Sequence, residues 1–138
     1  MQKNYHIVLR NDIQEIPRLS ILMETVAEEA GLDPGLAMSL NLALEEAVTN
    51  VVLYAYPEGA EGFVEIDILL EAHYMEFTVI DSGVAFDPTA KPDPDLTLGV
   101  EERPIGGLGI FLVKQIMDQV LYERKNDRNY LRMIKKIQ

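Results

Sequence analysis

The residues in this chain most able to do chemistry are a carboxylate and a carboxamide four apart, Glu46 and Asn50, within Leu44-Glu45-Glu46-Ala47-Val48-Thr49-Asn50. On a helix that spacing stacks them on one side. Asn50 then offers a hard oxygen to Mg²⁺, and Glu46 stands where it could orient or deprotonate a nucleophile. Alone, the same residues read more simply as a solvated polar stripe. Two boxes downstream tip the balance. The first, Asp81-Ser82-Gly83-Val84-Ala85-Phe86-Asp87-Pro88, follows an apolar strand pattern, and the second, Gly106-Gly107-Leu108-Gly109, opens a helical one. Glycine lets the backbone come close to a ligand and take positive φ. A glycine box that runs directly into a helix also aims unbonded N–H groups and the positive end of the helix dipole at an anion. No Lys-Ser or Lys-Thr follows it and no βαβ unit surrounds it, so it is neither a P-loop nor a dinucleotide-binding turn.

Taken in order, the Glu-x-x-x-Asn of Glu46 to Asn50, the Asp-x-Gly-x-x-Phe of Asp81 to Phe86 and the Gly-Leu-Gly of Gly107 to Gly109 resemble the three boxes of a known superfamily. It is the ATP-binding fold of DNA gyrase, heat-shock chaperones, sensor histidine kinases and mismatch-repair ATPases. Within it the chain looks most like the stand-alone anti-sigma-factor serine/threonine kinases, which share the Glu-Ala-Val-Thr-Asn wording, the Phe-Asp-Pro after the second box and the small size. The likeness runs from about Ile7 to Ile137. It implies a Bergerat-type fold binding ATP or ADP, in which Asp81 accepts a hydrogen bond from the adenine amino group and Gly83 leaves room for the ring. Asn50 would ligate Mg²⁺ between the phosphates, Gly106, Gly107, Leu108 and Gly109 would hold phosphate oxygens, and Glu46 would be the catalytic base. Lys91, Arg103 and Lys114 are candidates for compensating phosphate charge, against the plainer reading of each as a solvated cation. The implied partners are an anti-anti-sigma antagonist, phosphorylated on serine or threonine, and a sigma factor held in a partner switch. A nucleotide-gated binding module with little or no transfer activity is the alternative.

The chain departs from that pattern in three places. Pro104 and Ile105 stand before Gly106, where fuller forms of the last box carry another glycine. Asn129-Tyr130-Leu131 replaces a Gly-Thr whose hydroxyl often helps hold adenine through water. Tyr54 and Tyr56 follow the first box where relatives often have His.

Periodicity supplies the elements that must position these groups. Tyr5 to Leu9 reads as a strand and Ile13 to Ala30 as a helix stopped by Gly31. Asp33-Pro34 is an N-cap with proline at the first helical position, so a second helix runs to about Tyr54. Its apolar stripe is Leu36, Leu40, Leu44, Ala47, Val48 and Val51. Val64 to Leu70 and Tyr74 to Ile80 are strands joined by a turn at Glu71-Ala72-His73. Val84 to Ile105 holds four prolines and five acidic residues, a loop long enough to be a lid. A helix from Leu108 to Met117 and strands Gln119 to Lys125 and Tyr130 to Ile137, around a turn at Asn126 to Asn129, complete the chain. The expected class is α+β, a two-layer sandwich with a mostly antiparallel mixed sheet, helices on one face and a lid loop.

Length and composition agree. A chain of 138 residues that is 48% hydrophobic makes one domain with its own core. No uninterrupted apolar run is long enough for a membrane span, and the N-terminus does not read as a signal peptide. With no cysteine, disulfides and thiolate chemistry are excluded, and a cytoplasmic protein is expected. A net charge of −11 argues against nucleic-acid binding and suits a basic protein partner. It also requires that a cation and local N–H donors bring in ATP against the field, which predicts Mg²⁺ dependence. A homodimer is consistent with the resemblance.

Overall fold

A computed structural model of the chain describes residues 2–57, 59–90 and 107–138. Five strands, β1 Lys3–Arg10, β2 Phe63–Leu70, β3 Tyr74–Asp81, β4 Gln119–Lys125 and β5 Arg128–Lys136, form one sheet in the order β1-β2-β3-β5-β4. Every pairing among them is antiparallel, so the described sheet contains no parallel element of the kind a mixed sheet would have. Alternation sends Val64, Ile66 and Ile68 of β2, Met75, Phe77 and Val79 of β3, and Leu131 and Met133 of β5 into the core. Burying each large apolar side chain stabilises the fold by about 1.5–3 kcal/mol. The other face carries an exposed contact of His6 with Asp67 and exposed ion pairs of Arg128 with Glu65 and Arg132 with Glu76, which contribute little while water screens them.

Among the described residues, three α-helices cover the apolar face: α1 Pro17–Ala30, α2 Pro34–Tyr54 and α3 Gly107–Ile116. The first is shorter than its periodicity predicts. Pro17 has no N–H to give to a preceding turn, so α1 begins there, and Ile13–Glu15 forms a separate 3-10 turn capped by Asp12. Gly31, at φ +64°, ends α1 in the left-handed conformation that glycine adopts freely. Asp33 caps α2, its Oδ2 accepting from the N–H of Gly35 at 3.1 Å and of Leu36 at 3.3 Å.

By length and composition α2 is apolar enough to cross a membrane. One stripe of it goes into the core instead, while Met38, Leu42 and Leu53 stay exposed. Leu40, Ala43, Leu44 and Val48 are wholly buried between α1, α3 and the sheet. Its polar positions divide between two neighbours: Asn41 and Glu45 bond with Ser20 of α1, while Glu46 and Asn50 face α3, where the site forms.

The final hairpin is tighter than predicted. Asn126 and Asp127, at φ +52° and +61°, make a two-residue turn, and these residue types tolerate positive φ best after glycine. Arg128 and Asn129 therefore belong to β5, and Asn129 stands directly opposite Asp81.

Candidate functional site

Asp81 is the last residue of β3, points to the helical side and is only 4% exposed. Its Oδ1 accepts from the N–H of Gly83 at 2.8 Å and from Nδ2 of Asn129 at 2.8 Å. Burial raises its pKa above the ordinary carboxylate value, against the opposing pull of the Asn129 and Gly83 hydrogen bonds and the Arg124 charge. The pocket in front of it is walled by Asn50 and Val51 of α2, Val79 of β3, Phe86, Pro88, and Tyr122, Asn129 and Leu131 of the last hairpin. It encloses about 10 Å³, the space of roughly one water. That space is too small for a purine ring as it stands. Phe86 rests on Tyr54 with ring centroids 5.7 Å apart, an offset arrangement aromatic pairs favour.

At the other end of α2's exposed face, Glu46 and Asn50 lie side by side as their spacing predicts, both against α3. A Cβ placed on Gly109 would fall 2.7 Å from Oε2 of Glu46 and 3.8 Å from Nδ2 of Asn50. Gly109 is in the first turn of α3, so the helix backbone comes up to the two side chains because nothing projects from that position. Glu46 makes no hydrogen bond or ion pair among the described residues. Asn50 is 6% exposed, and its buried Nδ2 has no hydrogen-bond partner among the described residues. An orphaned buried amide costs about 1–3 kcal/mol, so this carboxamide holds unspent bonding capacity. A half-turn of the amide exchanges nitrogen for oxygen, so it can equally present Oδ1 to a cation. No cluster of three His, Asp or Glu side chains exists among the described residues. A cation here would therefore take Asn50 together with phosphate oxygens and water, which is how Mg²⁺ is ordinarily held.

The remaining predicted residues divide. Gly107 and Leu108 open α3, while Gly106, Lys91 and Arg103, with most of the proposed lid, lie outside the described residues. Gly83 uses its missing side chain against α2 rather than to widen the pocket. A Cβ there would stand 2.1 Å from the carbonyl oxygen of Ala55, which also accepts from the N–H of Val84 at 2.7 Å. Lys114 donates to the carbonyl of Thr89 at 3.4 Å. Tyr56 ties the second box to β2, accepting from the N–H of Ser82 at 3.0 Å and donating to the carbonyl of Phe63 at 2.7 Å.

Sequence reasoning assigned Asn129 to a turn and noted only what it replaces. In the structure it is 4% exposed and bonded to three parts of the site. The Asn126-Asp127 pair could have placed it, since a two-residue turn there puts residue 129 in strand register.

The site's order along the chain and the sheet behind it define the class. The chain matches the histidine kinase-like ATPase domain family over residues 9–135 and belongs to it. Its curated relatives include the serine/threonine-protein kinase BtrW of Bordetella bronchiseptica, 27% identical over 96 residues, 70% of this chain and 68% of that protein. The serine-protein kinase RsbW of Listeria monocytogenes is 31% identical over 99 residues, 69% of this chain and 63% of that protein. RsbW of Bacillus cereus is 33% identical over 106 residues, 74% and 66% respectively. The chain thus matches about two thirds of the length of these relatives. Among solved structures, the RsbU and RsbW domains of Rv1364c from Mycobacterium tuberculosis share the fold, with a TM-score of 0.70 at 14% identity, covering 98% of this chain and 32% of that one.

Proposed function

We propose that this chain is an anti-sigma kinase: it binds Mg-ATP between α2, β3 and α3, phosphorylates a serine or threonine of an anti-anti-sigma antagonist, and sequesters a sigma factor. The observation that carries the reading is the meeting of Glu46 and Asn50 with the first turn of α3 at Gly109. An acceptor for a proton and a set of helix-end N–H donors for phosphate stand there together. Asp81, with Oδ1 engaged by Asn129 and Gly83, keeps a second carboxylate oxygen for the adenine amino group. The kinase names of the relatives support the same activity.

Phosphoryl transfer asks the protein mainly for positioning and charge neutralisation. Helix-end N–H groups of α3 hold the phosphate oxygens. Glu46 aligns the incoming hydroxyl and receives its proton as the Oγ–P bond forms and the bond from the γ-phosphorus to the bridging oxygen of ADP breaks. Mg²⁺ beside Asn50, when bound, neutralises phosphate charge. ADP leaves with its adenine amino group released from Asp81. We take residues 1–138 as one such domain, acting in the cytoplasm and able to pair with a second copy.

Glu46→Gln tests the assignment because it keeps size and removes basicity. Mg-ATP binding should persist while phosphorylation of the cognate antagonist falls by about 10²–10⁴-fold. Undiminished transfer would make Glu46 structural. ATP-dependent partner binding, with no transfer even from the wild type, would establish the nucleotide-gated module instead.

A further inference from the structure

One side chain links the second box to the last hairpin, and nothing in the activity above assigns it a role. The Asn129 carboxamide is buried opposite Asp81 and makes five hydrogen bonds. Its Nδ2 donates to Oδ1 of Asp81 and to the carbonyl of Val84, both at 2.8 Å. Its Oδ1 accepts from the Tyr122 hydroxyl at 2.5 Å, from Arg124 at 3.2 Å and from the N–H of Phe86 at 3.3 Å. An aliphatic side chain of the same size would take this acceptor from the Phe86 N–H and the Tyr122 hydroxyl and one donor from Asp81.

The orientation follows from donor and acceptor chemistry. Oδ1 is surrounded by three N–H or O–H donors and Nδ2 by a carboxylate and a carbonyl, so only one rotamer of the amide satisfies both ends. Nδ2 thereby takes the same carboxylate oxygen that the Gly83 N–H takes. Both bonds on Asp81 among the described residues then fall on Oδ1, which leaves Oδ2 as the acceptor for a ligand. The neighbouring hairpin position, Leu131, is apolar and buried, so no hydroxyl there shares the task.

We propose that Asn129 is the positioning residue for purine recognition in this chain: its carboxamide pins one oxygen of Asp81 and the Val84–Phe86 backbone, so that the other oxygen meets the exocyclic amine of a 6-aminopurine nucleotide. The proposal rests on the nucleotide reading of the site. Asn129 would touch the base only through Asp81, and it acts on selectivity rather than on transfer.

Asn129→Asp is the sharpest probe. It keeps the volume and the acceptor for Tyr122, Arg124 and Phe86, but it replaces the donor to Asp81 by a second carboxylate. Asn129→Leu removes all five bonds and serves as the cruder companion. With the full chain, ATP and GTP titrations from pH 5.5 to 8.5 and an NMR titration of the Asp81 carboxyl carbon without nucleotide are the readouts. In Asn129→Asp the Asp81 carboxyl should titrate at higher pH than in the wild type. ATP affinity at neutral pH should fall at least tenfold, the ATP over GTP preference should shrink, and ATP binding should move with the carboxyl titration. A folded variant with an unchanged Asp81 titration overturns the proposal, as does an equal loss for ATP and GTP at every pH, which is the mark of a merely structural side chain. If Asn129→Asp does not fold, the same readouts on Asn129→Leu decide. Wild-type protein that binds neither nucleotide would sink the nucleotide reading, whereas the carboxyl titration would still report whether Asn129 controls Asp81.

Discussion

The two ends of the site are built on opposite plans. Around Asp81 nearly every polar group is satisfied: Asn129 alone makes five hydrogen bonds, and the pocket holds about 10 Å³. Around Glu46 bonding capacity is left over, with Asn50 Nδ2 buried and unpartnered and a helix terminus brought up to a side chain that makes no bond among the described residues. The difference suits two tasks. A base must be told from other bases, which asks for fixed donors and acceptors that reject a poor match. A phosphoryl group must be met by charges and dipoles that the resting protein does not spend on itself.

Breaking the satisfied end should have the largest effect. Asp81→Asn keeps an acceptor for Asn129 and Gly83 but offers an amide to the base, so ATP affinity should fall by roughly 10²-fold and preference over GTP should vanish. Parallel calorimetric titrations with the two nucleotides check this, and equal wild-type affinities would remove Asp81 from base recognition.

At the other end the expected loss is next in size. Removing Mg²⁺ with EDTA, or making Asn50→Ala, should weaken ATP binding at least tenfold. A chain of net charge −11 opposes a polyphosphate, and a helix terminus supplies only about half a unit charge. Equal affinities with and without Mg²⁺ would mean that the spare capacity of Asn50 serves something other than a metal.

Two glycine substitutions then separate the plans by stability. Gly83→Ala drives a Cβ to 2.1 Å from a backbone carbonyl, which cannot yield, and should cost about 1–3 kcal/mol in chemical denaturation. Gly109→Ala meets the far end of the Glu46 side chain at 2.7 Å, which can swing aside, so it should melt within a few degrees of the wild type while losing phosphate affinity. If Gly109→Ala proves as destabilising as Gly83→Ala, the phosphate end is no looser than the base end.

The smallest effect is on pH dependence. Because burial raises the Asp81 pKa above the ordinary carboxylate value, the stability tied to this group is fully present below that ordinary value. It is lost as pH rises through the shifted value. At neutral pH the buried carboxylate therefore costs stability, and Asp81→Asn should melt higher than the wild type at pH 7, with the gap closing toward pH 4. Thermal melts across that range check the sign.

The three boxes and most elements were legible because their causes are local: spacing on α2, a cap at Asp33, glycines before α3. Pro17 was visible too, but helical periodicity on both sides of it concealed that its missing N–H splits the segment. What escaped was long-range. The role of Gly83 depends on Ala55, which comes up against it from another element, and Asn129 gains its meaning only when sheet register sets it against Asp81. The sheet's purely antiparallel order likewise depends on how β5 inserts between β3 and β4, a choice no single segment encodes.

The contact between Gly83 and the Ala55 carbonyl has a further consequence, because Ala55 follows the same helix that carries Glu46. Both ends of the site are referred to α2, which serves as a ruler. Nine residues separate position 46 from position 55, an axial distance of about 13.5 Å at the helical rise. Inserting one residue between them would lengthen the rod by about 1.5 Å and turn Glu46 by about 100° relative to Ala55. Base recognition anchored at Ala55 would survive, and the carboxylate would no longer face Gly109. On the proposed reading, the distance between the two ends of the site is set by the residue count of one helix, and chains that share this site should tolerate insertions before Glu46 or after Ala55 far better than between them.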